Sequence, residues 1–375
     1  MKPRELLELA EHALRLPTAP YHEQYVKGFA VAFCRELTGV CVEEDRAGNV
    51  IAKWERPRRR DRSGHPSPSH IPGPLVFVAH MDHPGFEVLG GQRAEFLGGV
   101  PKDMFHNARV RFYGKAGVVR ATVSRLDDRH WPRRKFVSLN LEPGTVNRPR
   151  RGDLGMWDVP AFRVTGGKLQ AAAIDDVLGT VVALATLAEV SRRGMPAHLW
   201  CAFTRAEEVG FHGATTLIRS KKIPQSALVV SIEMSKERPW ARIGNGPIVR
   251  VGDRATIFDP AASALLWRVA ERCRARDSEF RAQRCLMDGG TCEATAFAAF
   301  GHRAGGLCLP LGNYHNIGTN LRPQAEYVSV RDLEQLVKLT VAAAEEWRSF
   351  GDIGVELRRR VSGIARSAPR PLRKI

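Results

Sequence analysis

Several features are scarce in this chain of 375 residues. Its seven cysteines are scattered and odd in number, and no two form a Cys-x-x-Cys pair. That excludes a disulfide framework and a thiolate zinc site, and it points to a reducing compartment. No uninterrupted apolar run approaches the ~18 residues of a membrane span, and the opening Met1-Lys2-Pro3-Arg4-Glu5 lacks the apolar core of a secretory signal. A soluble, cytoplasmic protein with no membrane partner is expected. Acidic residues are also short, 40 against 57 basic ones, for a formal net charge of +17. The excess gathers in Arg56 to Arg62, Arg133 to Arg151 and Arg358 to Lys374. Such charge could steer acidic substrates or nucleic acid. No recognisable nucleic-acid module accompanies it, so the arginines read as solvated faces and nucleic acid is disfavoured as a partner.

What is present is ordinary globular material, 43% hydrophobic and 26% charged, in a chain long enough for a large core. Leu6, Leu9, Leu14 and Leu16 mark an amphipathic helix over 4–16, and a second follows over about 22–37. Asp45 to Trp54 reads as a hairpin turning through Gly48-Asn49. From Arg56 to Pro74 the chain is rich in Arg, Pro and Ser and predicts an exposed, mobile loop. Leu75-Val76-Phe77-Val78-Ala79 predicts a strand buried on both faces, which delivers His80, Asp82 and His83. Between about 89 and 165 short alternating segments broken by Gly, Pro and Asp suggest an inserted β-barrel or sandwich. A long apolar helix begins near Asp175-Asp176 and reaches about Arg192, and a last amphipathic helix spans Leu333 to Trp347. Beyond Ile353 the basic tail is expected to fray.

The expected fold is therefore α/β: a mixed, mostly parallel central sheet flanked by helices, with an inserted small β-barrel domain. Residues 1–88 and 166–353 would form the catalytic body, 89–165 the insertion and 354–375 the tail. The informative pattern is where the polar residues fall. The run 198–203 leads to Glu207-Glu208, the run 227–232 to Glu233, and the run 306–310 to Tyr314-His315-Asn316. Several buried strands thus present a His or an acid at their C-terminal ends, the edge where ligands bind in open α/β sheets. If Glu207-Glu208 is extended, its two carboxylates face opposite sides, one toward a metal and one toward a water or substrate. Asp82, two residues from His80, can hold the imidazole's other N–H, while His83 reads as a surface residue or as one lying behind the ligands. Two imidazoles and several carboxylates suit a pair of divalent ions, with zinc, cobalt or manganese compatible with the N/O set.

The residues resemble a known family, the dinuclear metallo-aminopeptidases typified by glutamyl and deblocking aminopeptidases, within the wider clan of co-catalytic zinc exopeptidases. The resemblance runs through Gly48-Asn49-Val50, Ala79-His80-Met81-Asp82 with Gly85-Phe86, and Gly152-Asp153. It continues through Ile174-Asp175-Asp176, Glu207-Glu208-Val209-Gly210, Gly244 to Pro247, Gly289-Gly290-Thr291 and Tyr314-His315, covering about residues 20 to 350. It implies that His80 binds one metal, Asp175 bridges, Glu208 and His315 bind the other, and Glu233 completes the shell of the first ion. Glu207 would be the general base and Asp82 the orienter of His80. It also implies two divalent ions per subunit, zinc first, with short peptides as substrates. The assembly would be a homo-oligomer, a tetrahedral dodecamer with a dimer as runner-up, and the insertion would help to pair subunits.

The chain departs from the family pattern twice. Glu233 stands where Asp is usual, and Cys292-Glu293 follows Gly-Gly-Thr where Asp is usual. The alternatives to an aminopeptidase are a related dinuclear hydrolase of N-acyl amino acids or other small amides, and a non-catalytic metal- or nucleic-acid-binding scaffold.

Overall fold

In a computed structural model, residues 1–56, 73–115, 117–347 and 353–366 are described. Apolar runs bounded by turns form the strands. In chain order these are β1 (Val40–Glu44), β2 (Val50–Glu55) and β3 (Leu75–His80), then β4 (Gly85–Gly90), β5 (Arg93–Leu97), β6 (Arg109–Gly114), β7 (Gly117–Asp127), β8 (Lys135–Leu141) and β9 (Leu154–Trp157). They continue with β10 (Phe162–Thr165), β11 (Lys168–Ala171), β12 (His198–Thr204), β13 (Leu228–Lys236), β14 (Ile248–Arg250), β15 (Gln283–Cys285), β16 (Arg303–Leu311) and β17 (Glu326–Ser329). Eight of them build one mixed sheet in the order β1-β2-β12-β3-β13-β16-β14-β15. Its centre, β12-β3-β13-β16, is parallel, so four C-terminal strand ends open on one edge. The outer strands are β1, five residues long, and β15, three residues long.

The sheet is covered on both faces, and β3 accordingly has no exposed residue. Leu75 and Phe77 pack into the core beneath α1 (Pro3–Leu14), α2 (Gln24–Glu36) and α3 (Ile174–Arg192). Val76 and Val78, offset by one residue, face α4 (His212–Arg219) on the other side. The first face is completed by α5 (Pro260–Arg276) and α7 (Val330–Glu346), the second by α6 (Glu293–Ala299). Helix α3 is buried nearly all round, as expected of a helix wedged between a sheet and other helices. Local caps fix where helices begin. The Asp259 carboxylate accepts from the Ala262 N–H at the start of α5, and the Ser329 hydroxyl accepts from the Asp332 N–H at the start of α7.

Between β3 and α3 the short alternating segments close into an antiparallel barrel, β4-β5-β8-β7-β6-β9. Its interior is aromatic, with Phe86 4.8 Å from Phe96 and 4.9 Å from Trp157, measured between ring centroids. Closure depends on Gly155, which pairs with Phe86 across β4 and β9. A Cβ there would lie 2.5 Å from the Phe112 ring. The chain then returns to the body through β10-β11-β17, a small antiparallel sheet in which Ala171 lies opposite Glu326.

The α/β body and the inserted barrel are as the sequence predicts; the details differ in two places. Strand β13 runs on past Ile232 to Lys236, so Glu233 lies within the strand, held by its pairing with β16. The basic segment beyond Ile353 does not simply fray: Ile353–Arg366 forms helix α8, which touches α5. The sequence spacing Leu357, Val361 and Ile364 among arginines is helical in period, a signal weaker than the charge around it. The loop expected over 56–74 lies, from 57 to 72, outside the described residues, as does 367–375.

Candidate metal centre

The seven candidate residues His80, Asp82, Asp175, Glu207, Glu208, Glu233 and His315 meet at the C-terminal edge of the parallel strands. His80 is the last residue of β3 and is 1% exposed. Its Nδ1 approaches the Asp82 backbone carbonyl at 3.2 Å and the Asp82 carboxylate at 3.4 Å. That leaves Nε2 facing Asp175 Oδ1 at 3.7 Å, Glu207 Oε2 at 3.8 Å and Glu233 Oε2 at 3.9 Å. On the other side His315 Nε2 lies 3.1 Å from Glu208 Oε1 and 3.6 Å from Asp175 Oδ2. The Nδ1 of His315 bonds the carbonyl of Gly99, 2.8 Å away in the barrel segment. Each imidazole therefore has one nitrogen tied to a protein acceptor and the other turned into the cluster, an arrangement that selects the tautomer of a metal-binding histidine.

Asp175 sits between the two halves. One oxygen faces His80 and the other His315, and neither Asp175 nor Asp176 has helical backbone angles despite opening α3. The start of α3 is pinned by Glu326, whose Oε2 accepts the N–H groups of Ile174 (2.7 Å) and Asp175 (3.0 Å), while its Oε1 accepts that of His315 (2.8 Å). His83 is buried behind this group, joined to the Asp175 carbonyl and, at 2.9 Å, to Asn316 Oδ1. It is thus not a surface residue.

The Glu207-Glu208 pair is not an extended segment with opposed side chains. Ala206 turns through φ +50°, and both carboxylates enter the same cluster, one toward each imidazole. Asp82 holds the turn, accepting the N–H of Glu207 at 3.0 Å and that of Glu208 at 3.1 Å. Glu23, fully buried, accepts the Ala206 N–H and pairs with Arg205 at 2.7 Å. Asn49, from the β1-β2 turn, accepts the Arg205 N–H. Glu23 and Glu326 carry no motif: each is a lone acid in sequence, brought in by tertiary pairing. Asn49 stands in a turn signal, which explains it locally without revealing its reach across to Arg205.

Electrostatics test whether cations fit. Burial pushes the Glu207 carboxyl well up, with Glu208 and Glu233 adding to the rise and His80 opposing it. Burial likewise raises Glu233 to about 8, against the pull of His80 and Arg250. Burial would lower His80 and His315, yet Glu207 and Asp82 around one and Glu208 and Asp175 around the other hold both well above the usual range. Asp175 Oδ1 is buried without a hydrogen bond. A mixed imidazole and carboxylate set, short of positive charge and holding an unsatisfied oxygen, fits divalent cations. Two overlapping groups have donor atoms mutually within 4.8 Å: His80, Asp175 and Glu233, and Asp175, Glu208 and His315. A third such group, His80, Glu207 and Glu208, shares one residue with each of them and adds Glu207.

At the family departure, Cys292 and Glu293 open α6 and are buried. Burial raises the Glu293 carboxyl to about 7, against the pull of His80 and of Thr204.

With this geometry in place, comparison with known proteins is informative. The sequence profile of the M42 glutamyl aminopeptidases matches residues 145–339, slightly more than half of the chain. A protein of Acetivibrio thermocellus is 25% identical over 323 residues, 81% of this chain and 88% of that one. Among solved structures, a TET aminopeptidase of a marine sediment Thaumarchaeota archaeon superposes with a TM-score of 0.73 at 18% identity, covering 92% of this chain and 99% of that one. The TET1 peptidase of Pyrococcus horikoshii, which can assemble into a tetrahedron or a large octahedral shell, gives 0.70 at 20% identity over 91% and 99%. At such identities the structural likeness establishes the fold. Among the described residues, no helix is long and apolar enough to cross a membrane.

Proposed function

The chain belongs to the M42 glutamyl aminopeptidase family, and from that membership we propose that it removes N-terminal residues from short peptides using two divalent ions and Glu207 as general base. It is a peptidase, and peptidases of this family are metal-dependent. In the proposed site His80, Asp175 and Glu233 hold one ion, and Asp175, Glu208 and His315 hold the other, with zinc first and cobalt or manganese as alternatives. The observation that carries the reading is the division of the Asp175 carboxylate, one oxygen 3.7 Å from His80 Nε2 and the other 3.6 Å from His315 Nε2. When bound, such ions would polarise the scissile carbonyl and acidify a water.

The protein's own groups do the rest. Glu207, largely buried and free of hydrogen-bond donors to its carboxylate among the described residues, takes a proton from the attacking water and returns it to the leaving amine. Asp82 keeps His80 Nε2 pointed into the cluster and, through two N–H bonds, sets where the Glu207-Glu208 turn lies. Glu326 does the same for Asp175 and His315.

The body (1–88 and 166–353) would form the catalytic domain. The insertion (89–165) would contribute to subunit pairing in a homo-oligomer, a dodecamer like its tetrahedral relatives or a dimer. The test is metal quantification after reconstitution, combined with hydrolysis of aminoacyl-anilides against N-acyl amino acids. Two ions per chain and turnover of free-amine substrates are expected. Less than one ion with no hydrolysis would end the reading, and turnover confined to N-acyl substrates would move it to the related hydrolase.

A further inference from the structure

Helix α2 buries one stripe, Val26, Ala30 and Cys34 at i, i+4 and i+8, against the core. On a helix at a solvent boundary the opposite side should be polar. Here it is largely apolar as well. From Tyr25 to Cys34 the one charged residue is Lys27, and its ammonium is taken up by Glu44 at 2.7 Å. Tyr25, Gly28, Phe29 and Ala32, spaced at i, i+3, i+4 and i+7, form a second stripe. Tyr25 is 43% exposed and Gly28 and Ala32 are exposed, while Phe29 and Phe33 are half-buried with ring centroids 6.3 Å apart. A helix apolar on both sides is expected to be covered on both sides.

Gly28 narrows what covers it. Glycine in a helix interior is unfavourable relative to alanine, and its use there is to let another backbone come close. Among the described residues none does: beyond the backbone of its own helix, a Cβ added at Gly28 would meet no atom within 4 Å. The missing side chain therefore makes room for something outside the described subunit.

We infer that this face is a contact between copies of the chain, with α2 packed antiparallel on α2 of the partner subunit about a two-fold axis. The inference rests on the homo-oligomeric reading and not on the peptidase chemistry. A two-fold contact must be self-complementary, residue i meeting residue j and j meeting i. The exposed residues of α2 are ordered in that way about Ala30, as Gln24 and Glu36, Tyr25 and Arg35, and Gly28 and Ala32. Antiparallel packing sets Gly28 against Ala32 of the partner subunit, two small residues that allow close approach. It sets Tyr25 against Arg35 of the partner subunit, a guanidinium on an aromatic ring. Glu36 ends its own helix, where the dipole disfavours an anion, and it would meet the opening turn of the partner helix, which carries no acidic residue. An unrelated protein would not account for this symmetric order. The helix is about 20 Å long, too short to hold two copies by itself. The contact therefore acts beside another, such as that of the barrel.

The test is sedimentation velocity of the full, metal-loaded chain as wild type, Gly28→Glu and Ala32→Glu. Both positions are exposed and glutamate is a good helix former, so far-UV circular dichroism should be unchanged. The sedimenting mass of each variant should fall by roughly two-fold or more, because a symmetric assembly loses every copy of the contact at once. A second measurement fixes the register. With a short thiol cross-linker and exposed Cys41 replaced by Ser, Tyr25→Cys/Arg35→Cys should give a covalent dimer. Neither single variant should, because like residues of antiparallel helices would lie about 15 Å apart along the axis. Variants that sediment as the wild-type oligomer, as they would if residues 57–72 or another protein cover the stripe, overturn the inference. Cross-linking of a single variant with itself does so too. A monomeric wild type ends the homo-oligomeric reading and this inference with it, whereas an oligomer indifferent to Gly28→Glu and Ala32→Glu ends this inference alone.

Discussion

The two imidazoles of the centre are held by different parts of the molecule. His80 is anchored within the body, at the end of β3, by the carbonyl and carboxylate of Asp82 two residues along. His315 follows β16 and takes its orienting bond from Gly99, in the inserted barrel segment. One half of the site is thus self-contained, while the other is assembled only when the barrel is seated. Because Asp82 also fixes Glu207 and Glu208 through their N–H groups, the self-contained half carries the proposed base as well.

The comparison can be tested at its centre. Glu207→Gln removes the proposed base while keeping shape and ligand count, and it should lower turnover by roughly 10²–10⁴-fold or more with both ions retained. Steady-state kinetics with metal analysis checks this; near-normal rates would show that another group handles the proton. A smaller effect should separate the halves. Phe96→Ala opens the aromatic core of the barrel, at a cost of about 3–5 kcal/mol to that domain. The metal content of this variant should fall toward one ion per chain, as in His315→Ala. Loss of both ions together would show that the halves are not independent.

The smallest effect is a control remote from both. Burial would raise Glu189, but Arg192, the N-terminal amine and Arg193 outweigh it and lower the carboxyl from 4.5 to about 2. Its folded pKa lies below its unfolded one, so its stabilisation is present above about 4.5 and is lost as pH falls through about 2. The Tm gap between wild type and Glu189→Gln should therefore be constant near neutrality and narrow across that window, with no change in metal content.

Which parts of this could be read from residues alone follows from how local each determinant is. The buried strands were legible because runs such as Leu75 to Ala79 tolerate no other placement, and His80 and His315 stood out as polar residues near their ends. The alternation from 89 to 165 was enough to announce a small β-domain, although closure depends on one glycine meeting one aromatic ring. The orientation of Glu207 and Glu208 was misread because a single residue with positive φ, Ala206, replaces extended geometry by a turn. Glu326 was invisible: two of its partners, Ile174 and Asp175, lie 152 and 151 residues earlier in the chain, and the β11-β17 pairing brings them under it.

The borders of the large sheet carry a consequence of another kind. A long, flat, uncharged border is a template on which stray chains can add strands and aggregate. Here β15 offers three residues, and β1 ends in Glu43 and Glu44, which are engaged by Lys53 and Lys27. Neither border is a good template, so strand addition there is a poor route for copies to meet. That guards the nascent chain against misassociation while its many long-range pairings are still forming, and it leaves ordered association to the helical and barrel surfaces.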